Sequence, residues 1–507
     1  MQKWLSSFCV FVLIGNLIGC SWVDNRTEEE MGEKTTINIM IRSYTSGGWN
    51  SNHPVIQEIN SRLGMELNIE WVPTSIYEEK LNVAAASNNF PDVFFVTKDQ
   101  FLRWRDRGIF MDVKPYLSDY PNLFTHIPEP AYQLYNPDNQ YFGFPVYIPE
   151  VLESLLIRKD WLDTLGLEIP ETVDEFYEVA KAFVNEDPNN SGNQDTIGFT
   201  LDINPMGNFG FGDTALFFMA GFGLVNGWGE DDNGNLFPMQ IQTNELKDFI
   251  GFLRKAYAEG VLDPDFLYNL DNDSYRMLQA NQLGIARIFH MVSIPTLVRN
   301  SAEAELVQLS PLIGPNQERG IFARTGKHKI VINANVDYEK QEKILGMLDY
   351  MLSDEGHDLL RHGIEGMHYT RISDEKYRAL EATTKDAPSQ LLFSFLRRND
   401  PKYMILKTTD AVEAAAINSF TQNNEIYLVN NPAVGLVSET EITIGTTINN
   451  RWMETMVNVI KGEEPMEAIE KAVEEWKSTG GKEIITEINE AYQQLNKTMA
   501  GTESKEN

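Results

Sequence analysis

Residues 37–41, Ile37-Asn38-Ile39-Met40-Ile41, place isoleucine at every second position and open the stretch on which the fold class turns. Successive side chains of a strand point to opposite faces, so this alternation predicts a first strand with one apolar face. Over residues 51–63 the period changes. Val55, Ile56, Ile59 and Leu63 share one side of a helix, and Gly64 stops it. Leu67, Ile69 and Trp71 alternate again, residues 77–87 read as a second helix, and Pro91-Asp92-Val93-Phe94-Phe95-Val96 reads as a short strand buried on both faces. Strand, helix, strand, helix, strand is the pattern of a βαβ-type α/β unit.

Upstream, Lys3 precedes the apolar run Phe8-Cys9-Val10-Phe11-Val12-Leu13-Ile14, which is too short to span a bilayer and reads as a signal peptide. The run leads into Leu17-Ile18-Gly19-Cys20, which resembles the bacterial lipobox, with small Gly19 directly before the cysteine. A signal over 1–19 and a lipidated Cys20 are therefore expected; an ordinary secretory signal with an incidental cysteine is the alternative. Residues 20–35 are polar and charged and suit a flexible tether. Cys9 lies inside the expected signal, so the mature chain would keep Cys20 alone and form no internal disulfide.

A chain of 507 residues with 42% hydrophobic content can bury several layers of structure in two to four lobes. Its 42 Lys+Arg against 74 Asp+Glu give a net charge of −32, which argues against nucleic acid and against basic patches on anionic lipid. An anionic ligand would need a local basic pocket set against this field.

Near Phe142-Gly143-Phe144-Pro145-Val146-Tyr147-Ile148-Pro149 the character shifts to Gly, Pro and aromatics, a candidate interlobe crossover followed by an apolar strand over 152–157. Thr172 with Glu175 forms a capping box, and Val173, Phe176, Tyr177, Ala180, Phe183 and Val184 make the buried face of the helix it starts. Residues 168–176, Glu-Ile-Pro-Glu-Thr-Val-Asp-Glu-Phe, resemble a stretch of the family 1 extracellular solute-binding proteins. The resemblance continues in Gly326-Lys327-His328-Lys329-Ile330-Val331-Ile332-Asn333, in a helix over 343–363 with Tyr350-Met351-Leu352-Ser353-Asp354-Glu355-Gly356, and in Ala472-Val473-Glu474-Glu475-Trp476-Lys477. Gly363-Ile364-Glu365-Gly366-Met367-His368-Tyr369-Thr370 is similar to the LipO-like, alginate-oligosaccharide-binding branch.

That resemblance implies a two-lobed, periplasmic-binding-protein-like α/β fold of type II character, with a ligand cleft between lobes joined by three crossovers near Tyr147, Ala323 and Tyr369. Lobe 1 is then expected over 36–147 and 324–369, lobe 2 over 148–323 and 370–497, and a disordered tail over 498–507. The implied function is capture of a carbohydrate, as a monomer at the extracellular face of the cell membrane, and delivery to the permease subunits of an ABC importer. A surface-anchored carbohydrate-active enzyme and a peptide-binding transport protein are the rival readings. A glycosidase needs two carboxylates, which 74 acids cannot exclude, but no nucleophile elbow, His-Cys metal spacing or phosphate loop is present.

The run Asp187-Pro188-Asn189-Asn190-Ser191-Gly192-Asn193-Gln194-Asp195 sets oxygen-bearing side chains at alternating positions with Gly192 at the sixth, like the first part of an EF-hand loop. Asp187, Asn189, Ser191, Asn193 and Asp195 are candidate ligands for a structural Ca²⁺, although the twelfth position is Gly198 where an EF-hand carries a bidentate glutamate. A plain Asx-rich turn is the alternative. Asp231-Asp232-Asn233-Gly234-Asn235 reads as a hairpin turn. For the sugar, Trp49, Tyr147, Trp228 and Tyr369 are candidate stacking platforms, each of which could equally be core. Arg287 and His290, at the end of Gly284-Ile285-Ala286-Arg287-Ile288-Phe289-His290, with Glu150 and Asp92 at expected strand ends, are candidate polar contacts.

Overall fold

The computed structural model describes residues 34–43, 51–136, 140–146, 153–201, 210–269, 273–289, 304–323, 328–391, 395–398, 405–409 and 411–503. The alternating isoleucines form β1 (Thr35–Ser43), which buries Ile37, Ile39 and Ile41 and lies parallel to β2 (Met65–Pro73) and β3 (Val93–Val96). Between β1 and β2, the helix Pro54–Leu63 buries Val55, Ile56 and Ile59 and ends at Gly64, whose φ of 61° is the left-handed cap that glycine adopts without strain. The next helix, Thr74–Ala86, sends Tyr77 into the sheet, where its hydroxyl accepts from the Phe95 N–H at 3.0 Å and lies 3.1 Å from the Met40 carbonyl.

After β4 (Phe144–Val146) the chain leaves to build a second sheet. Its strands are β5 (Glu153–Arg158) and β6 (Ile197–Phe199), then, beyond the hairpin β7 (Trp228–Glu230) and β8 (Leu236–Pro238), β9 (Leu283–Phe289) and β10 (Leu306–Gln308). It returns through β11 (Ile321–Phe322) to β12 (His328–Ile332). The sheet orders are β2-β1-β3-β12-β4 and β10-β5-β9-β6. β12 thus inserts between β3 and β4, antiparallel to both.

Each sheet carries its own core. The first packs β1–β4 and β12 against the aromatic run Phe94, Phe101, Phe110, Tyr132 and Phe144 and the helix Tyr338–Leu352. The second packs Leu155 and Ile157 of β5 against the helices Val173–Asn185, Thr243–Ala258 and Thr446–Lys461, with Phe176, Phe199, Phe218, Phe249 and Phe252 in mutual ring contact. The Thr172 capping box forms as expected: the Glu175 N–H reaches Thr172 Oγ1 at 3.2 Å and the Glu175 carboxylate accepts the Thr172 N–H at 3.0 Å. The β7–β8 turn closes on Asp231 Oδ1, which accepts from the Asn233 and Asn235 N–H groups at 2.9 and 2.8 Å.

Three expectations need correction. The single helix over 343–363 is two, Tyr338–Leu352 and Asp354–His362, because Ser353 caps the second one and its hydroxyl accepts the Gly356 N–H at 3.0 Å. The chain does not leave the first core at Tyr369. It forms the hairpin β13 (Tyr369–Ser373) and β14 (Lys376–Ala379), and Leu391, Phe395 and Leu396 still belong to the first core. Only with the helix Ala411–Glu425, whose Asn424 Nδ2 lies 3.3 Å from Ser154 Oγ of β5, does it reach the second sheet, after which β15 (Leu428–Val429) pairs with β11. Finally, the tail expected from 498 is helical to Glu503, as the end of Lys482–Glu503.

One residue is out of keeping with the first core. Lys329 of β12 is buried, with its Nζ 4.7 Å from the Phe101 ring centroid and, among the described residues, only the Tyr132 carbonyl within reach, at 3.5 Å. Burial, helped by nearby Arg105, pushes its pKa down from 10.5 to about 7. The folded state therefore binds this proton less tightly than the unfolded chain. The associated stability is present in full above the unfolded pKa, near 10.4, and is lost as pH falls toward about 7. Lys329→Met should raise the unfolding free energy at pH 6–7 by about 1–4 kcal/mol. Denaturant titrations of the two proteins should converge toward pH 10; a constant difference across that range would refute the buried-charge account.

Candidate ligand cleft

Register fixes which edge of each sheet faces the crossovers. In the first sheet the carboxyl ends of β1, β2 and β3 lie beside the end of β4 and the start of β12, since Val96 pairs with Lys329 and His328 with Val146. In the second, the carboxyl ends of β6, β9 and β10 lie beside the start of β5, since Glu153 pairs with Phe289 and Leu309 N bonds to Leu155 O. The step from Ala323 to His328 covers five residues and can span at most about 18 Å. That limit holds the end of β11 near the edge of the first sheet where β12 starts; the carboxyl edges of open α/β sheets are where ligands bind. The crossovers are also tied to each other: Ala323 N donates to Val429 O at 3.0 Å, and Asn226 Nδ2 bridges the carbonyls of both residues at 2.8 Å.

Of the residues expected to touch ligand, Trp49, Tyr147, Glu150 and His290, like the lipidation candidate Cys20, lie outside the described residues. Arg287 holds its place on β9, opposite Leu155 and two residues from the strand's cleft end, and is buried. The other three are placed elsewhere. Asp92 precedes β3 and so sits at the far edge of its sheet, four residues or about 13 Å from the cleft end. There its carboxylate accepts from Asn38 N at 2.7 Å and pairs with Lys340 Nζ at 2.8 Å. Trp228 is 8% exposed within the second core. Tyr369 is buried by a parallel stack on Tyr377, centroids 4.2 Å apart, and by the edge of His362.

Other side chains occupy the cleft edges in their stead. Arg42, next to last in β1, lays its guanidinium 4.9 Å from the centroid of Phe95, whose ring also meets His328 at 5.0 Å. In the second lobe, Asp263 follows the end of β6 in space. Its carboxylate accepts from Thr200 Oγ1 at 2.9 Å and Asn269 Nδ2 at 2.7 Å. The alternation that buried Ile39 and Ile41 also placed Arg42 on the opposite face, a signal that was readable; Asp263 and Asn269 carry no local signal, because only the tertiary fold brings them to β6.

The Asp187 loop follows the helix Val173–Asn185 and closes on itself. Ser191 is its centre: Oγ lies 2.9 Å from Asp195 Oδ1 and 3.4 Å from Asp187 Oδ1, while its N–H meets Asp187 Oδ1 and Asn189 Oδ1, each at 3.1 Å. Gly192 N reaches Asp187 Oδ2 at 3.0 Å, and Asn189 Nδ2 ties the loop to the Asn281 carbonyl at 2.9 Å. Two carboxylates, a hydroxyl and amide oxygens converging in one turn are a donor set that fits a hard divalent cation. Three or more His, Cys, Asp or Glu side chains do not converge anywhere among the described residues, so such a site would depend on neutral oxygens.

The buried Trp228 supplies a test of this placement. Trp228→Ala should destabilise the fold by about 3–5 kcal/mol, read by denaturant unfolding. A variant of unchanged stability would put the indole back at the ligand surface.

Among the described residues, no helix is long and apolar enough to cross a membrane. In sequence, 28% of 505 aligned residues are identical to the polygalacturonan/rhamnogalacturonan-binding protein YtcQ of Bacillus subtilis (strain 168), covering 97% of this chain and 99% of that protein. Lipoprotein LipO of the same organism is similar to the same degree, 28% over 510 residues, covering 97% and 98%. In structure, the alginate-binding protein AlgQ2 without calcium ion superposes with a TM-score of 0.71 at 20% identity, over 91% of this chain and 99% of that one, which supports the two-lobed α/β fold. The profile of the bacterial extracellular solute-binding proteins, which bind solutes for transport and are not enzymes, matches residues 55–358. With more than half its length matched, the chain belongs to the bacterial extracellular solute-binding protein family.

Proposed function

We propose that this protein captures an acidic oligosaccharide between its lobes and delivers it to an ABC importer, held at the outer face of the membrane by a lipid on Cys20. The observation that carries the substrate class is similarity along nearly the whole chain to a protein named for binding polygalacturonan and rhamnogalacturonan. Supporting it, Arg42 is next to last in β1 and Arg287 two residues from the cleft end of β9, in a chain whose net charge of −32 would otherwise repel a uronate. A guanidinium fork binds a carboxylate bidentately, which a neutral sugar cannot reproduce. Asp263 and Asn269 are suited to accept and donate to sugar hydroxyls. The anchor rests on Leu17-Ile18-Gly19-Cys20 and on the likeness to a lipoprotein.

Closure follows from binding only if contacts exist in the closed form that the open form lacks. Calorimetry with galacturonate oligomers against neutral fructo-oligosaccharides should show binding of the acidic series, and Arg287→Ala should weaken it by at least tenfold, about 1.4 kcal/mol. Equal affinity for both series, or indifference to Arg287→Ala, would sink the acidic-sugar reading.

The Asp187 loop is proposed as a structural calcium site, with Asp187, Asn189, Ser191, Asn193 and Asp195 as donors; its shape and the likeness to a protein studied for its calcium support this. Calcium bound only to the folded form should stabilise it in proportion to the logarithm of free Ca²⁺. A melting temperature that rises with Ca²⁺ and falls with chelator is expected, and Asp187→Asn should abolish the response. No response in the parent protein would leave an Asx-rich turn.

A further inference from the structure

The helix Asp354–His362, Asp-Glu-Gly-His-Asp-Leu-Leu-Arg-His, carries six titratable side chains in nine residues, yet His357, Leu359, Leu360, Arg361 and His362 are all buried. Tyr377, Arg398 and Lys407, from later in the chain, reach back to it and satisfy several of its polar groups. The Asp358 carboxylate accepts from the Tyr377 hydroxyl at 2.8 Å and from Lys407 Nζ at 3.0 Å. Arg398 donates from Nε to the Leu352 carbonyl at 2.7 Å and from Nη1 to Asp354 Oδ1 at 2.6 Å, so its charge is matched.

Arg361 is the exception. It is 3% exposed, and no acceptor among the described residues reaches its Nη1 or Nη2, both of which are sealed from solvent. An arginine does not escape by losing its proton: burial, opposed by Asp358, lowers its pKa only to about 9. His357, one turn earlier, is held neutral, its pKa driven to about 3 by burial and by Arg361 and Arg398. The one carboxylate that acts on it, Asp358, is already taken up by Tyr377 and Lys407 and makes no hydrogen bond to the guanidinium, and a buried ion without such a partner costs several kcal/mol. An orphaned buried donor calls for an explanation, and a bound water or ion is one that fits a buried guanidinium.

We propose that Arg361 binds a small monovalent anion of the halide class, enclosed beside the helix Asp354–His362 in the first lobe. The small size follows from the burial of both Nη atoms, and the valence from the single guanidinium charge that no carboxylate hydrogen-bonds among the described residues. The anion would fix the segment that leads toward the third crossover onto the first lobe, at a site independent of the carbohydrate cleft.

The direct test is crystallographic, on the unmodified protein soaked in sodium bromide. An anomalous peak within hydrogen-bond reach of the Arg361 Nη atoms is expected. In solution, melting temperature measured as chloride replaces gluconate at fixed ionic strength should rise with chloride, and Arg361→Gln should flatten that dependence. An empty anomalous map with no chloride dependence overturns the proposal; so does electron density showing a water, or the carboxylate of Asp400, which lies outside the described residues.

Discussion

The backbone hydrogen bonding of β12 is the constraint on which this architecture rests. β3 and β4 each leave an edge that is paired only when β12 enters between them, and β12 is made from residues 328–332. An unpaired central edge, with Val93–Val96 buried at every position, would expose both donors and a flat apolar surface. The chain must therefore go out through the second lobe and come back before the first is complete. The cleft is a by-product of that route: antiparallel insertion puts the start of β12 and the end of β4 at the same edge as the carboxyl ends of β1–β3.

Much of this was legible because period and chain order are local quantities. Ile37, Ile39 and Ile41, the Gly64 stop and the Thr172–Glu175 box each report on a few neighbouring residues, and all took the expected form. What failed needed tertiary information. Asp92 was assigned to the cleft because it lies next to a strand, but proximity to a strand does not say which end. Trp228 stands in a Gly-rich loop and Tyr369 at an expected crossover, but their rings find partners in a core and in a stack that no linear spacing encodes. The length of the first lobe was underestimated because the residues after Tyr369 include charged side chains that look solvated, yet they are consumed by Asp358, Asp354 and the helix that bears them.

The electrostatics of the two lobes follow from the same distinction between surface and interior. The excess of acids is spread over the surface, where water screens it and where it favours solubility over affinity. Cations placed inside, Lys329 and Arg361, feel little of that screening and so govern local behaviour out of proportion to their number. Arg42, half-buried next to last in β1, lies between these extremes, whereas Arg287, two residues from the end of β9, belongs with the buried cations.

The segment after β15 has a kinematic consequence. Leu436 is buried in the second core, while its neighbour Val437 packs against the first, and Lys98 Nζ reaches Glu441 Oε1 at 3.4 Å just beyond. Two rigid bodies that rotate relative to one another displace every point except those on the axis, and one peptide bond cannot stretch. Adjacent residues anchored in different bodies must therefore lie close to that axis. Any rotation of the two cores relative to one another would therefore have its axis close to the bond between Leu436 and Val437, and cleft walls farthest from it would travel most.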